Sequence, residues 1–273
     1  MGNYVKIFGL MAVMTALIVG VAYAFGGPQA MLPAFIIMAL FNFGSYWFSD
    51  KAVLKMYRAR IIEPHEHPEL YAMVDRLRQR AGLPMPRIGI SAADQPNAFA
   101  TGRDYKNAVV CYTQGILSSL SKEELEGVTA HELAHIKNRD MLTSTLAATM
   151  AGAVMFLSRF AIFFGGKDRN PVSLIAMMIL GPLAALIVQM AVSRQMEYRA
   201  DRMGAQISGD PRALARALMT LEGTARRIPL RVNPSAANLA IVNPLRGGIS
   251  ALFRTHPPTE ERVARLESLA RTI

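Results

Sequence analysis

The chain has 273 residues, 30 Lys and Arg against 20 Asp and Glu, a single cysteine, 52% hydrophobic residues and only 18% charged ones. That length allows one or two domains, and the composition excludes disordered, collagen-like and coiled-coil chains; lone Cys111 excludes a disulfide scaffold. The net charge of +10 comes without any RRM, zinc-finger or helix-turn-helix pattern, so it points to anionic lipid headgroups rather than nucleic acid.

The hydrophobic excess is not evenly spread. From Ile7 to Ser49 the chain runs without a charge, and Met141 to Ser193 is interrupted only by Arg159 and the trio Lys167, Asp168 and Arg169. About 20 apolar residues already span a bilayer as a helix. The first stretch divides at Gly26-Gly27-Pro28 into Ile7–Phe25 and Ala30–Phe48, the second arm ending in the interfacial aromatics Tyr46, Trp47 and Phe48. Ala22-Tyr23-Ala24 also fits a signal-peptidase pattern; removal of the first helix would leave the rest of the chain on the same side. The other stretch reads as Met141–Gly165 and Val172–Ser193, joined by residues 166–170, with buried core helices as the alternative. Lys6, Lys51, Lys55, Arg58, Arg60, Lys137, Arg139, Arg194, Arg199 and Arg202 flank these segments on one side, and Lys167 and Arg169 on the other. The positive-inside bias then predicts four spans with both termini in the cytoplasm.

Between the hydrophobic stretches the apolar spacing of Leu70, Met73, Val74 and Leu77 predicts a helix over 68–80. Residues 87–91 and 107–112 read as strands, with a short edge strand at 97–102 between them. Ser121 and Glu124 form a capping box that starts a new helix. Two later helices are expected at 211–222 and 259–270, around a proline-bearing loop region.

The helix begun at Ser121 contains His131-Glu132-Leu133-Ala134-His135. Residues four apart share a helix face, so both imidazoles can ligate one ion, while Glu132 can reach a metal-bound water as general base. A His-His-Glu site needs its third ligand from elsewhere, and Glu197 is the candidate. Asp201, one turn further along the same face, can accept the second ring N–H of a ligand histidine. Ligands on both sides of the second hydrophobic pair share an ion only if an even number of spans separates them, which two segments satisfy. Six residues separate His135 from Met141, so a continuous helix would put the ion about 9 Å from the membrane boundary.

The HELAH run followed by Lys137-Asn138-Arg139-Asp140, a hydrophobic hairpin and Ser193-Arg194-x-x-Glu197-Tyr198-x-Ala200-Asp201 resembles the HtpX-type membrane metalloproteases, relatives of the CAAX prenyl proteases. The likeness extends through Asn97–Gly102, Asn243-Pro244-Leu245 and Thr255–Thr259. It implies a mainly α membrane protein in which a gluzincin-like zinc metalloprotease domain with a small β-sheet is combined with two transmembrane hairpins. Residues 1–49 would form the first hairpin, 50–140 with 194–273 the protease domain, and 141–193 the second hairpin inserted in it. The resemblance implies one Zn2+ held by His131, His135 and Glu197, with Glu132 as base. It also implies substrate pairing along Asn97, Ala98, Phe99 and Ala100 by strand addition, and a bacterial inner-membrane, stress-linked quality-control endopeptidase independent of nucleotide. The expected substrates are misfolded membrane proteins or unfolded polypeptides at the cytoplasmic face. Oxyanion or substrate contact falls to His256. The alternatives are a CAAX-type prenyl-peptide protease and a non-catalytic membrane metal-binding protein. His65 and His67 read as an exposed loop, and Cys111 as a small core residue.

Overall fold

The computed structural model describes residues 2–164, 194–225, 239–241 and 257–272. His256, the 243–245 run, the loop 166–170 and the segment 172–193 lie outside the described residues. Helices α1 (Gly2–Gly26) and α2 (Met31–Met56) are joined by Gly27, whose φ of 71° suits glycine alone, and by a 3-10 turn at Pro28–Ala30. They pack on each other, and Asn42 Nδ2 donates to Thr15 Oγ1 at 3.0 Å across the pair. Leu32, Phe35, Ile36, Ile37, Leu40 and Phe43 nevertheless stay exposed on α2. A soluble domain would bury them.

Among the described residues, Pro28–Met56 is the one helix long and apolar enough to cross a membrane, and α1 contributes the shorter apolar run Ile7–Gly20. The α2 helix extends well past the expected end at Phe48. Its last two turns leave the apolar band and enter the protein core through Val53 and Leu54, followed by Tyr57.

Strands β1 (Ala59–Ile61), β2 (Arg87–Ser91), β3 (Ala98–Thr101) and β4 (Val109–Thr113) form a mixed sheet in the order β1-β2-β4-β3. The β2–β4 pair is parallel, and the other two pairs are antiparallel. The segment expected as a short edge strand is one: β3 lies outside β4 at the end of the sheet. The strand expected from residue 107 starts at Val109 because Asp104 caps a 3-10 turn at Tyr105–Asn107, its Oδ1 accepting the Lys106 and Asn107 N–H groups at 2.9 Å each. Strand β1 has no counterpart in the sequence reading; its three residues are too few to show alternation.

Helices α3 (Pro68–Ala81) and α4 (Gln114–Ser119) precede α5 (Lys122–Asn138), which starts with both hydrogen bonds of the capping box: Glu124 N–H to Ser121 Oγ at 3.2 Å and Ser121 N–H to Glu124 Oε2 at 3.0 Å. The helix does not run on into the hydrophobic segment. Arg139 takes the left-handed conformation (φ 59°), its N–H closing on the His135 and Ile136 carbonyls, and α6 (Asp140–Phe164) begins anew. The expected 9 Å spacing along a continuous helix axis therefore does not apply. The first turns of α6 are enclosed by protein. Leu142, Thr145, Leu146, Ala148, Met150 and Val154 are all buried, where α1, α2 and β3 pack on the helix.

Helices α7 (Arg194–Ser208), α8 (Pro211–Ala225) and α9 (Thr259–Leu269) complete the described fold. α5 lies at its centre, against α3, α7 and α8. The α5–α7 crossing is very close. A Cβ at Gly204 would sit 2.9 Å from both Cα and N of His131, so only glycine permits this backbone approach. Gly204→Ala should therefore destabilise the protein by about 1–3 kcal/mol, despite the better helix propensity of alanine. It should also weaken metal binding, because His131 is what the methyl displaces. Thermal unfolding in detergent and metal titration check both, and an unchanged or raised Tm would contradict this packing.

Candidate metal centre

The α5 helix presents His131, Glu132 and His135 on one side, and α7 brings Glu197 opposite them. His131 Nε2 lies 3.2 Å from His135 Nε2 and 3.8 Å from Glu197 Oε2, while His135 Nε2 lies 3.5 Å from Glu197 Oε1. These three residues form the one cluster among the described residues able to hold a metal ion. These separations, two of them to different oxygens of Glu197, lie close to the edges of about 3.3 Å expected of a tetrahedron around an ion bound at 2.0–2.1 Å. His131 and Glu197 are buried and His135 is nearly so. His65 and His67 lie far from this arrangement in kind: both are exposed.

Electrostatics give a second test of fit. The buried cluster contains three carboxylates, Glu132, Glu197 and Asp201, against one buried guanidinium, Arg262. With neutral histidines the balance is two negative charges, which a divalent cation cancels. His135 reflects the same demand for positive charge: burial opposes its protonation, yet the hydrogen bond to Asp140 and the nearby carboxylates push it up to about 9. Burial likewise raises Glu132 above the usual carboxylate range, assisted by Glu197 and opposed by the two histidines and a hydrogen bond from the Ala100 N–H. A carboxylate raised in this way is better matched to proton transfer near neutral pH.

Each histidine has its own partner. His131 Nδ1 lies 3.0 Å from Asp201 Oδ1, and His135 Nδ1 lies 3.4 Å from Asp140 Oδ2. A ring N–H donated at Nδ1 leaves the Nε2 lone pair facing the donor triangle. Asp140 is itself held by Arg199, Nη2 to Oδ1 at 2.7 Å. Burial works against ionisation of Asp201, but Arg262 and His131 outweigh it and hold its carboxyl down to about 2.

Asp140 and Arg262 did not emerge from the sequence. Asp140 sits five residues past His135, beyond the break at Arg139, so helical spacing does not connect them. Arg262 had a readable signal: with Leu266 and Leu269 it occupies positions i, i+4 and i+7, the inner face of α9.

The β3 edge completes the site. Thr113 N–H donates to the Asn97 carbonyl at 2.9 Å, so alternation along the antiparallel pair turns the backbone groups of Ala98 and Ala100 away from β4. Phe99, Ala100 and the segment Leu239–Ile241 line the cavity above His131, Glu132, His135 and Glu197. Asn97 is buried, and its Oδ1 accepts the Ile241 N–H at 3.0 Å, so its side chain ties the Leu239–Ile241 part of the cavity lining to β3.

Residues 64–270 match Peptidase family M48. The chain belongs to this family. It is 57% identical to the Protease HtpX homolog of Gemmatimonas aurantiaca, over 98% of this chain and 99% of that one. It is 54% identical to the Protease HtpX homolog of Salinibacter ruber, over 98% of each, and 52% identical to that of Thermococcus kodakarensis, over 96% and 94%. The crystal structure of S. mikatae Ste24p aligns at a TM-score of 0.49 with 19% identity, covering 96% of this chain and 67% of that one. As an M48 member with His131, Glu132, His135 and Glu197 gathered in one buried site, the chain is a metalloendopeptidase. Glu197→Ala should lower the metal content of the purified protein at least tenfold while leaving α5 folded. Metal analysis alongside circular dichroism checks this, and full stoichiometry in the variant would remove Glu197 from the ligand set.

Proposed function

We propose that this M48 peptidase is a zinc enzyme with one ion per chain, held by His131, His135 and Glu197, with Glu132 as general base. It cleaves misfolded or damaged membrane proteins and unfolded polypeptides at the cytoplasmic face of the bacterial inner membrane. The observation that carries the reading is the convergence of two imidazoles and a carboxylate within 3.2–3.8 Å of one another in a pocket two charges short of neutrality. Zinc in that position supplies a Lewis acid that polarises the scissile carbonyl and makes water acidic enough to deprotonate near neutral pH. Glu132 takes the proton from the attacking water and returns it to the leaving amine. The outward backbone groups of Ala98 and the Ala100 carbonyl offer a substrate strand the pairing that fixes its scissile bond over the donors, the Ala100 N–H being taken by Glu132. His256, outside the described residues, remains proposed for substrate or oxyanion contact.

Packing supports a membrane-proximal cleft. Exposed apolar residues run along α2 from Met31 to Phe48, about 26 Å of helix at 1.5 Å per residue. Near the end of that band the Arg103 guanidinium stacks over the Trp47 ring, 4.6 Å from its centroid, and Arg103 follows β3 by two residues. Tyr57 at the end of α2 stacks on Phe99 with ring centroids 4.4 Å apart. The inserted second hairpin is proposed with α6 as its first arm.

Glu132→Gln should retain zinc and lose at least a hundredfold in cleavage of an unfolded substrate by the detergent-purified enzyme, matching chelator-treated wild type. Retained proteolysis in this variant would refute the mechanism. Orientation has its own readout. Native Cys111 is buried, and burial pushes its thiol up to about 12, so it contributes no labelling background. A cysteine replacing exposed Lys122 should react with a membrane-impermeant maleimide in permeabilised cells and not in intact ones; labelling in intact cells would put the protease domain on the other side.

A further inference from the structure

Arg262 is among the largest fully buried side chains in the described structure, with 1% exposure, in a helix whose other charged residues face solvent. A buried guanidinium is costly unless its donors are used, and here they are. Nε donates to Asp201 Oδ2 at 2.9 Å, Nη2 to Asp201 Oδ1 at 2.7 Å and Nη1 to the Ile241 carbonyl at 3.1 Å. The fork fixes the plane of the Asp201 carboxylate, whose Oδ1 is the same oxygen that faces His131 Nδ1 at 3.0 Å. Arg262 therefore determines where the acceptor for His131 stands. It also anchors Leu239–Ile241, a part of the cavity lining that Asn97 Oδ1 ties to β3 through the Ile241 N–H. Its charge lies 3.6 Å from Glu197 Oε2, within the buried carboxylate cluster.

We propose that Arg262 is a positioning residue of the peptidase centre: through Asp201 it orients His131 for metal, and through the Ile241 carbonyl it sets the wall against which substrate lies. The proposal rests on the reading of His131 as a zinc ligand. Lysine keeps the charge but lacks the planar two-donor fork, so Arg262→Lys separates geometry from charge.

The experiment measures zinc affinity, by competition with a chromogenic chelator, and Tm in the full-length protein in detergent. Its panel is wild type, His131→Ala, Arg262→Lys, Arg262→Gln, Asp201→Asn, the double variant Asp201→Asn/Arg262→Gln, and Leu266→Ala. Loss of an outer partner of a ligand histidine weakens metal binding by about 10–100-fold, and Arg262→Gln and Arg262→Lys should both do so. Because Arg262 acts through Asp201, the double variant should bind zinc no more weakly than Asp201→Asn alone. It also removes both charges together, so it folds even where Arg262→Gln does not. Leu266→Ala, which loosens α9 without touching the network, should lower Tm and leave zinc affinity within about twofold of wild type. With cleavage resolved, Arg262→Lys should raise KM as well as lower kcat, since the wall at Ile241 shifts too. Additive losses in the double variant, or zinc affinity in Arg262→Lys equal to wild type, would overturn the proposal while leaving the zinc site standing. Equal zinc binding by wild type and His131→Ala would overturn both.

Discussion

His131 and Glu197 share a donor triangle because α5 and α7 touch at the backbone. The contact at Gly204, directly against His131 Cα and N, brings the axes closer than ordinary side chains permit, and Glu197 and Asp201 on α7 reach the imidazoles of α5. Everything chemical in the molecule follows from that approach. The capping box at Ser121 fixes where α5 begins, the left-handed Arg139 fixes where it ends, and α8 adds a second tight contact at Gly127, where a Cβ would come within 2.6 Å of Leu214 N. Along α5 from Gly127 to Ala134 every residue is buried, so the helix bearing the motif is also the core of the domain. Its position cannot relax without cost to the whole fold.

A buried cluster with this many carboxylates is unstable by itself, since each ion removed from water costs several kcal/mol before any partner repays it. Two compensations are built in. Arg199 neutralises Asp140, and Arg262 neutralises Asp201. What remains, Glu132 and Glu197 beside two imidazoles, is balanced by a dication. The metal and the two arginines thus complete one electrostatic system, in which each imidazole is aimed by a carboxylate that an arginine holds in turn.

The chemistry was more legible in the sequence than the architecture around it. HELAH needs only helical periodicity to be understood, and Ser121 with Glu124 announces the helix that supplies it. Glu197 and Asp201 were readable as a pair because both lie on one face. Contacts between distant segments were not readable. Asp140 reaches His135 through a backbone turn that a non-glycine residue rarely adopts. Arg262 is masked by the acidic and basic residues beside it, since charged side chains are almost never fully buried unless paired, and its partners lie in α7 and at Ile241. For the hydrophobic run from Met141, periodicity cannot tell a lipid-facing helix from one enclosed by protein; the apolar residues of α6 through Val154 meet α1, α2 and β3.

That enclosure changes how the membrane and the active site are related. If the motif helix simply continued into the bilayer, the site would hang from a single rod and its height would depend on helix length. Instead, Val53, Leu54 and Tyr57 at the end of α2 share one apolar cluster with Phe99 of β3, Val109 and Cys111 of β4, Ala148 of α6 and Leu239 of the cleft wall. Thr101 and Thr145 join β3 to α6 by a hydroxyl–hydroxyl hydrogen bond of 3.0 Å. Strand β3, the Leu239–Ile241 segment and the apolar α2 helix therefore belong to a single packed unit. A force that tilts α2 is transmitted to both sides of the cleft at once, because close-packed interiors shift as a body rather than deform locally. Membrane attachment in this chain is thus part of the construction of the cleft itself, with α2 serving as a structural wall of the peptidase as well as its anchor.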